Sequence, residues 1–489
     1  MEDKKKASIK AYLENRLVEG PKTLNAMTLK TGSNTKLPTR SALLVINRYL
    51  NDFNSKTSET RWVLMPGLRG TGKTTIVAQL FSKLECSDNC KIYISIDDAK
   101  RVLNTTISEI LEVYEDFILK KKFESLEKPV YLFLDEVQYD DTWGITLKNI
   151  YDRSKNVFII CTGSSALSLQ TNPDVARRVA IVKIYPLSYP EYRMISATHY
   201  PITKLGANIK DALYGSRSAE EVYNKLRLYE SLVLTYFKKV QKTSPSVKDD
   251  ISTYLKYGTL PSALAIKSEP LIFSQINQTM NTVLTRDVPQ IGLFDKSTIE
   301  KLSQMLYIIS GTDVASFKSI AQTIESNEKT VASVFDALEK TELLLRVYPY
   351  GAKETQVRKP SKFLFSSPAY RASYYNLVGS ITSFENYKGK LLEDMTGFYL
   401  TRTLSKSPGY SITYDTAEKG ADFIVDTGIP DMGKLVIEVG FGKNTIVQVM
   451  NTMKKVSNSF GLCITNTGKL KLHKDENILV LPIHFFLLT

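Results

Sequence analysis

The segment Gly67–Thr74 reads Gly-Leu-Arg-Gly-Thr-Gly-Lys-Thr and matches the pattern G-x-x-x-x-G-K-[ST] at every position. Residues 62–65 before it form a short apolar run typical of a buried strand, and residues 75–84 after it have the pattern of a helix. Glycines let the main chain wrap closely around phosphates, so that successive N–H groups and the helix N-terminus point at them. A chance glycine-rich turn is the alternative, but it does not account for the flanking strand and helix. The segment therefore predicts a binding site for a nucleoside triphosphate.

The loop predicts a role for each of its polar side chains, with ATP and Mg²⁺ as cofactors. Lys73 would contact the β- and γ-phosphates, and the Thr74 hydroxyl would bind Mg²⁺. The full set of expected nucleotide contacts is Gly67, Gly70, Thr71, Gly72, Lys73, Thr74 and Thr75.

A second motif follows about 60 residues later in the chain. Residues 130–136 read Val-Tyr-Leu-Phe-Leu-Asp-Glu, an apolar strand that ends in two carboxylates. Asp135 would bind the Mg²⁺ shell, and Glu136 would orient and deprotonate the attacking water. A carboxylate pair after an apolar strand is common by itself, but its spacing from the phosphate-binding loop makes it informative. Adjacent Asp and Glu predict hydrolysis of the nucleotide rather than binding alone.

Two further places in the sequence are candidates for catalytic roles. The next apolar strand ends in Thr162-Gly163-Ser164. If this strand lies between the two motifs, Thr162 or Ser164 would contact the γ-phosphate or the attacking water; a plain turn of small residues is the alternative. Arg177 and Arg178 follow. One of them would stabilise charge on the transferred phosphoryl group, within the subunit or across a subunit interface.

The composition favours a cytoplasmic protein with a polyanionic partner. The 489 residues carry a formal net charge of +13, which favours nucleic acid as a partner, with an acidic membrane surface second. A lysine-rich proteome would give the same charge without any such partner. Four cysteines provide no disulfide framework in a chain of this length, and the N-terminus has no apolar stretch typical of a signal peptide. The longest apolar stretch, residues 478–488, is too short to span a bilayer and predicts a terminal pair of strands.

The pattern along the chain predicts an α/β fold class. Apolar strands alternate with helical stretches from residue 61 to about residue 186, which indicates a parallel sheet. A mostly helical region follows, with residues 220–240 as one of its clearest helices. The tail is rich in short strands after a helix at residues 388–404.

The motifs together resemble a broad bacterial and archaeal family of AAA+-like P-loop ATPases. Members of that family join the ATPase core to a winged-helix segment and a C-terminal restriction-endonuclease-like domain. The resemblance covers residues 61–483, and besides the motifs above it rests on residues 186–192, Pro-Leu-Ser-Tyr-Pro-Glu-Tyr, and residues 257–261, Tyr-Gly-Thr-Leu-Pro. By resemblance, Arg178 is the better candidate for the catalytic arginine.

The resemblance implies a P-loop parallel-sheet core followed by a helical lid, a winged helix and an α+β nuclease-like domain. The expected segments are a basic N-terminal extension (1–60), the ATPase core (61–190), the lid (191–297), the winged helix-turn-helix (298–360) and the nuclease-like domain (361–489).

The winged-helix assignment has support of its own from the residues. Residues 317–321 and 328–335 have the spacing of a helix-turn-helix, with the second helix in the position that reads DNA. The residues expected to face DNA are Lys329, Thr330 and Ser333, with Arg346 and Lys353 on or near the wing. Such modules also serve as protein–protein packing units, so the pattern leaves both kinds of partner open.

The C-terminal segment departs from the family pattern. Nucleases of this fold place an Asp on one strand and Glu-x-Lys on the next, so that two carboxylates hold Mg²⁺ and the lysine assists. Here Asp422 and Glu438 would supply the carboxylates, and Glu393 from the preceding helix could complete the site. The lysine position holds Gly440, although Lys443 lies three residues further on.

A second departure supports a degenerate site. Gly420 stands two residues before the Asp, where the family often has an acidic residue. Because losing one member of a cooperating catalytic set lowers the rate by orders of magnitude, we expect this domain to be inactive.

The sequence thus predicts an ATP-hydrolysing, Mg²⁺-dependent protein that acts on or with nucleic acid, with DNA favoured. Two alternatives stay open: a metal-dependent nuclease gated by the ATPase, and a slow ATPase that acts as a signalling switch and recruits a protein partner. If Arg178 acts across a subunit interface, we expect the protein to form a homo-oligomer.

Overall fold

The structure is a computed structural model, and it describes residues 3–164, 173–200, 204–292, 294–312, 314–377, 383–405, 407–440, 445–466 and 468–489. The chain divides into two units, Met1–Tyr185 and Pro186–Thr489. This division lies close to the boundary expected at residue 190, whereas the boundaries expected at 60, 297 and 360 do not separate such units.

The first unit contains a sheet of parallel strands in the order β2-β3-β4-β1-β5. Its strands are β1 (Trp62–Pro66), β2 (Lys91–Ser95), β3 (Val130–Asp135), β4 (Val157–Gly163) and β5 (Ala180–Ile181). Its helices are α1 (Asp3–Met27), α2 (Ser41–Asn54), α3 (Lys73–Lys83), α4 (Ile96–Leu103), α5 (Ile107–Val113), α6 (Trp143–Arg153) and α7 (Pro173–Ala176). The parallel sheet predicted from the alternating pattern is confirmed.

Both faces of this sheet are covered, which explains why its central strands are continuous apolar runs. Every residue of β1, β3 and β4 is buried. Trp62 packs into one hydrophobic cluster together with Ile9 of α1, and Val63 packs into another together with Leu43 of α2. Helices α1 and α2, which lie within residues 1–60, therefore contribute to this unit's core. This differs from the expected N-terminal extension.

The second unit contains the remaining strands and most of the helices in the described part of the chain. The strands are β6 (Val314–Ala315), β7 (Leu344–Pro349), β8 (Ser361–Phe365), β9 (Ser411–Tyr414), β10 (Phe423–Asp426), β11 (Lys434–Val439), β12 (Ser459–Thr465), β13 (Lys471–His473) and β14 (Ile478–Pro482). The helices before β7 are α8 (Tyr189–Ala197), α9 (Leu205–Tyr214), α10 (Ala219–Arg227), α11 (Glu230–Val240), α12 (Val247–Thr253), α13 (Glu269–Thr282), α14 (Val288–Ile291), α15 (Lys296–Gly311), α16 (Phe317–Thr323) and α17 (Glu328–Lys340). The later helices are α18 (Lys353–Arg358), α19 (Pro368–Leu377), α20 (Phe384–Leu404), α21 (Thr445–Met453) and α22 (Ile483–Phe486).

The strands of the second unit form one mixed sheet in the order β13-β14-β12-β11-β10-β9-β7-β8-β6. Strands β7 and β8 pair antiparallel, and β7 continues into the C-terminal strands by pairing parallel with β9, Tyr348 opposite Thr413. The boundary expected at residue 360 therefore falls inside a continuous sheet. No helix in the described part of the chain is both long enough and apolar enough to cross a membrane.

Candidate nucleotide site and C-terminal ion cluster

The phosphate-binding loop has the conformation that its glycines allow. Gly70 and Gly72 have φ angles of 79° and 87°, in the left-handed region that residues with a side chain rarely adopt. At Gly67, a Cβ atom would lie 2.4 Å from the carbonyl oxygen of Ile184, so a side chain has no room there. α3 begins directly after the loop, at Lys73. The free N–H groups of its first turn are thus available to an anion bound in the loop.

Lys73 and Thr74, at the start of α3, lie beside the end of β3. The Lys73 ammonium donates to the carbonyl oxygens of Gly67 and Leu68, at 2.7 and 3.1 Å. The Thr74 hydroxyl donates to a carboxylate oxygen of Asp135 at 2.9 Å. The predicted phosphate ligand and the two predicted Mg²⁺ ligands therefore lie at the same edge of the sheet.

The Asp135 carboxylate is also held from the two strands beside β3. The hydroxyl of Tyr93 on β2 donates to one carboxylate oxygen at 2.9 Å, and the hydroxyl of Thr162 on β4 donates to the other. The Thr162 hydroxyl also accepts a hydrogen bond from the Glu136 main-chain N–H at 3.1 Å. Thr162 thus fixes both residues of the carboxylate pair.

Glu136 follows β3 in a left-handed conformation, with φ 58°. Its carboxylate accepts a hydrogen bond from the side-chain amide of Gln138 and lies 3.9 Å from the guanidinium of Arg69 in the phosphate-binding loop. Arg69 in turn donates to the Tyr139 hydroxyl at 2.9 Å. The orientation of the Glu136 carboxylate is thereby restrained from both motifs.

The two adjacent carboxyl groups have opposite pKa shifts. Burial raises the pKa of Asp135, and the charge of Glu136 adds to that effect. Burial also opposes ionisation of Glu136, but the charges of Lys73 and Arg69 outweigh it, so the pKa of Glu136 is lowered. The charges of Lys73 and Arg69 thus favour the ionised form of Glu136, which is the form that can accept a proton.

The remaining residues of the expected nucleotide set lie around this centre. The Thr71 hydroxyl donates to the Leu68 carbonyl oxygen at 2.7 Å, within the loop. Thr75 is half-buried in the first turn of α3, and Ser164 is buried directly after β4. Ser165, which belongs to the same small-residue motif, lies outside the described residues.

Arg178 is not brought to the phosphate-binding loop. It precedes β5, which pairs with β1 so that Ala180 lies opposite Val63. Arg178 is thus level with the start of β1, and at about 3.3 Å per residue the length of strand up to Gly67 separates it from the loop by roughly 20 Å. Its guanidinium instead donates to the Asp152 carboxylate, at 2.7 and 3.2 Å. This geometry argues against the expected role within one subunit and leaves the role across an interface.

The donor atoms at the loop fit ATP with Mg²⁺. Mg²⁺ prefers oxygen ligands and is commonly held by one or two protein oxygens together with phosphates and water. Thr74 and Asp135 present oxygen atoms 2.9 Å apart. The Lys73 ammonium and the N-terminus of α3 supply the positive charge that phosphates require.

In the second unit, the antiparallel pairing of β10 with β11 brings Asp422 and Glu438 together. Phe423 lies opposite Ile437, so the residues that flank this pair also face each other. The Asp422 N–H donates to the Glu438 carboxylate at 3.2 Å, and the Val439 N–H donates to the Asp422 carboxylate at 3.0 Å. Burial raises the pKa of Glu438 to about 9, and the charge of Asp422 adds to the shift.

A lysine from another strand joins these two carboxyl groups. Lys362 on β8 is 5% exposed, and its ammonium lies 3.0 Å from Asp422 and 2.5 Å from Glu393 on α20. Among the described residues, no group of three or more His, Cys, Asp or Glu side chains is arranged to hold a metal ion. The structure therefore differs from the expected metal site of Asp422, Glu438 and Glu393, because an ammonium group lies between two of the carboxylates. We call Lys362, Glu393, Asp422 and Glu438 the C-terminal ion cluster.

The glycines that break the family pattern differ in the space around them. A Cβ atom at Gly420 would lie 2.7 Å from Asp415, so the position has no room for a side chain. A Cβ atom at Gly440 would make only an ordinary contact with Thr445, at 3.5 Å, so the position has room for a Cβ atom. Lys443, the expected substitute, lies outside the described residues.

Helix α17 carries the residues expected to face DNA: Lys329 and Ser333, which are exposed, and Thr330, which is half-buried. Arg346, which was expected on or near the wing, lies on β7. Its guanidinium packs over the ring of Phe363 and donates to the Ser361 hydroxyl at 2.9 Å. Lys353 is exposed at the start of α18, in the connection between β7 and β8.

Comparison with known proteins assigns the family. Residues 59–193 match a family model described as an AAA domain, and residues 248–377 match one described as a domain of unknown function. The uncharacterized protein MJ1637 of Methanocaldococcus jannaschii is 34% identical over 432 residues, which cover 87% of this chain and 84% of that protein. The chain belongs to the same family as MJ1637. A second protein of that organism, MJ1544, is 30% identical over 363 residues, covering 73% of this chain and 70% of its own length.

Solved structures with a related arrangement are distant. A Walker-type ATPase of Pyrococcus abyssi is 13% identical, covers 72% of this chain and 99% of its own, and has a TM-score of 0.38. The RuvB Holliday junction branch migration motor of Thermotoga maritima is 16% identical, covers 64% and 90%, and has a TM-score of 0.27. The AAA-type P-loop assignment of the first unit rests on the family model together with the loop and carboxylate geometry described above.

Several residues that contact the candidate sites were not singled out from the sequence. Tyr93 and Lys362 reach Asp135 and Asp422 from other strands, so only the strand order could reveal them. Gln138 stands two residues after Glu136, and this short spacing could have indicated its contact with the Glu136 carboxylate.

Proposed function

We propose that this protein hydrolyses ATP, with Mg²⁺, at the site formed by the phosphate-binding loop and the ends of β3 and β4. The observation that carries the proposal is the placement of Glu136. Its carboxylate has a lowered pKa and lies beside Asp135, whose own carboxylate contacts Thr74 of the loop. From there Glu136 would act as a general base for water that attacks the γ-phosphate.

Each residue of the site would act on a particular atom. The Lys73 ammonium, which contacts two loop carbonyl oxygens, would bind the β- and γ-phosphates instead. Thr74 and Asp135 would hold Mg²⁺, which neutralises charge on the phosphates when bound. Glu136 would take a proton from the attacking water, and Thr162 would keep Asp135 and Glu136 in place through its two hydrogen bonds.

We further propose that the ATPase acts on or with nucleic acid, DNA in particular. The net charge of +13 supports a polyanionic partner. The order α15, β6, α16, α17, β7, β8 and the antiparallel pairing of β8 with both β6 and β7 fit a winged helix. Exposed Lys329 and Ser333 on α17 would then meet the DNA.

Phosphate release from ATP tests both parts of the proposal. It would be measured without nucleic acid and with double-stranded DNA, single-stranded DNA and RNA, at low and moderate salt. We expect turnover that DNA stimulates, with a stimulation that weakens as salt rises. Lys329→Ala should reduce the stimulation, while Lys340→Ala, at the other end of α17, should not.

The outcomes separate the alternatives. Turnover that no nucleic acid changes would remove the nucleic-acid part and leave the ATPase. Tight retention of ATP with negligible turnover, together with nucleotide-dependent capture of a protein, would favour the signalling switch.

A metal-dependent nuclease gated by the ATPase is a second candidate, and one observation favours it. The buried ammonium of Lys362 contacts Asp422 and Glu393, so it could take the part of the lysine that Gly440 replaces. The same contact also fits an inactive cluster in which the lysine neutralises the carboxylates permanently.

Incubation of the protein with DNA or RNA, ATP and either Mg²⁺ or Mn²⁺ decides between these two. Cleavage that Lys362→Met abolishes and Lys455→Met retains would support the nuclease, since Lys455 pairs with Asp415 outside the cluster. No cleavage by the wild type would reject it. Cleavage that survives combined Asp422→Ala and Glu438→Ala substitution must come from elsewhere.

A further inference from the structure

The segment before α2 is attached to the helix that follows the phosphate-binding loop. The side-chain amide of Gln79 on α3 donates to the carbonyl oxygens of Leu37 and Pro38, at 3.0 and 3.3 Å. These contacts place the next side chains of the segment against the loop. The segment before α2 carries no recognisable motif, yet these contacts place it at the nucleotide site.

Arg40, the last residue before α2, joins two main-chain positions with one guanidinium. It is 6% exposed. One terminal nitrogen donates to the carbonyl oxygen of Thr71 at 2.6 Å, and the other donates to the carbonyl oxygen of Tyr185 at 2.8 Å. A planar guanidinium presents donors in a fixed fork, so these two carbonyl groups are held at a fixed spacing.

The contact with Thr71 determines the orientation of a loop N–H group. In a planar trans peptide unit, the C=O of Thr71 and the N–H of Gly72 point in opposite directions. Because Arg40 holds the carbonyl on one side, the N–H of Gly72 is directed to the other. Gly72, which supplies the N–H of this peptide unit, has a positive φ angle, and the Thr71 hydroxyl adds a contact with the Leu68 carbonyl oxygen inside the loop.

The contact with Tyr185 ties the same guanidinium to the end of the first unit. The preceding residue, Ile184, donates its N–H to the Pro66 carbonyl oxygen at 2.8 Å. Its own carbonyl oxygen approaches Gly67 so closely that a Cβ atom there would lie 2.4 Å away. The chain therefore leaves the first unit directly beside the start of the phosphate-binding loop, and Arg40 holds both.

We propose that Arg40 is a positioning residue that orients the Thr71–Gly72 peptide for phosphate and links nucleotide occupancy to the main chain at Tyr185. The inference rests on the proposed ATP site. Phosphate that binds the Gly72 N–H fixes this peptide unit, and through the Arg40 fork it also restrains the main chain at Tyr185.

The test compares Arg40→Lys with Arg61→Lys as a matched control. Arg61 is also 6% exposed and donates to a main-chain carbonyl oxygen, that of Tyr151 at 2.8 Å, but it precedes β1 at the far end from the loop. Lysine keeps the charge but cannot hold two carbonyl groups in the geometry of the fork. Thermal unfolding of both variants establishes that they are folded.

Two readouts are needed, namely the Kd for a fluorescent ATP analogue and hydrogen exchange of the Val182–Tyr185 amides with and without nucleotide. In the wild type we expect nucleotide to slow exchange of the Ile184 amide. In Arg40→Lys the Kd should rise about tenfold or more, as loss of a hydrogen bond to a charged group implies, and exchange at Ile184 should no longer respond at saturating nucleotide. Arg61→Lys should behave as the wild type in both.

Any other outcome contradicts either the role of Arg40 or the ATP site itself. If the wild type binds nucleotide and Arg40→Lys matches the wild type in both readouts, only the role of Arg40 is overturned. Equal effects of Arg40→Lys and Arg61→Lys would also overturn it, because they would reflect buried arginines in general. No nucleotide binding by the wild type would overturn the ATP site itself and this inference with it. If Arg40→Lys fails to fold, Arg40→Gln, which keeps one donor group, is measured against the same expectations.

Discussion

The neighbours of Asp135 and Glu136 shift the pKa values of these adjacent carboxyl groups in opposite directions. Asp135 is enclosed by three hydroxyl groups and its pKa is raised by burial, whereas Glu136 faces the charges of Lys73 and Arg69 and its pKa is lowered. Charge on the phosphate-binding loop therefore favours the ionised form of Glu136, which its proposed role as a general base requires.

Glu438 predicts how the stability of the second unit changes with pH. Its pKa in the folded protein, about 9, lies above its ordinary value of 4.5, so the folded protein holds an extra proton between these values. The stability that this group contributes is complete at pH below the ordinary value and is lost as pH rises towards 9. In metal-free buffer we expect Glu438→Gln to flatten the fall of Tm between pH 6 and 9. The exposed Glu418→Gln is the control, and the same slope in both variants would contradict the raised pKa.

The sequence predicts the site only as far as the chemistry is local in the chain. The loop from Gly67 to Thr74 and the pair Asp135-Glu136 are contiguous motifs, so their chemistry follows from the residues alone. Tyr93, Arg40 and Lys362 act through strand order and side-chain reach, which no short pattern encodes. Arg178 was expected to act either within one subunit or across an interface, and its place before β5 puts it at the opposite end of the sheet from the loop.

At the scale of elements, the segment 186–192 forms a structural junction in the second unit. Ser188 and Glu191 cap the start of α8 by exchanging hydrogen bonds. The Tyr189 hydroxyl donates to the buried Asp250 carboxylate at 2.6 Å, and Arg402 on α20 contacts Glu191 at 2.9 Å. The segment that carried the family resemblance thus joins α8 to distant elements of the unit.

The space around Gly258 shows that this junction is closely packed. A Cβ atom there would lie 2.9 Å from the ring of Tyr192 on α8 and 3.2 Å from the ring of Tyr254. We expect Gly258→Ala to lower the free energy of unfolding by about 1–3 kcal/mol, in the range for overpacking. Gly389→Ala is the control, because nothing lies within 4 Å of its Cβ and alanine favours the helix by up to about 1 kcal/mol. Chemical denaturation measures both, and equal effects would refute the close packing.

Two elements differ from those that the hydrophobic pattern of the sequence predicted. Residues 220–240 were predicted as one helix, yet α10 ends at Arg227 and α11 begins at Glu230, without a Gly or Pro to mark the break. The predicted pair of terminal strands is one strand, β14, followed by α22. A continuous apolar run fits a buried strand and a buried helix equally well, so periodicity could not separate them.

At the scale of the whole molecule, the chain has fewer independent parts than its motifs suggest. Helices α1 and α2 belong to the core of the first unit, and the strands on either side of residue 360 belong to one sheet. The alternating pattern predicted the parallel sheet of the first unit. It could not predict that β7 pairs with β9, because that pairing joins segments more than sixty residues apart.

The position of Arg178 leads to a prediction about assembly. If it acts across an interface between copies of the chain, Arg178→Ala should reduce turnover with little change in ATP affinity. A mixture of Arg178→Ala with Lys73→Ala should then recover activity, because one variant supplies the intact loop and the other the arginine. Arg177→Ala is the control, since Arg177 pairs with Asp174 on the surface. No recovery in the mixture would argue against a catalytic Arg178 in trans.

The most direct test of the account measures ATP binding and phosphate release side by side for the wild type and Glu136→Gln. Glutamine keeps the size and hydrogen bonding of the side chain but cannot take the proton from water. We predict unchanged ATP affinity and turnover lower by about 10²–10⁴ in Glu136→Gln, as expected for loss of a general base. Equal turnover in both proteins, or loss of binding together with turnover in Glu136→Gln, would contradict it.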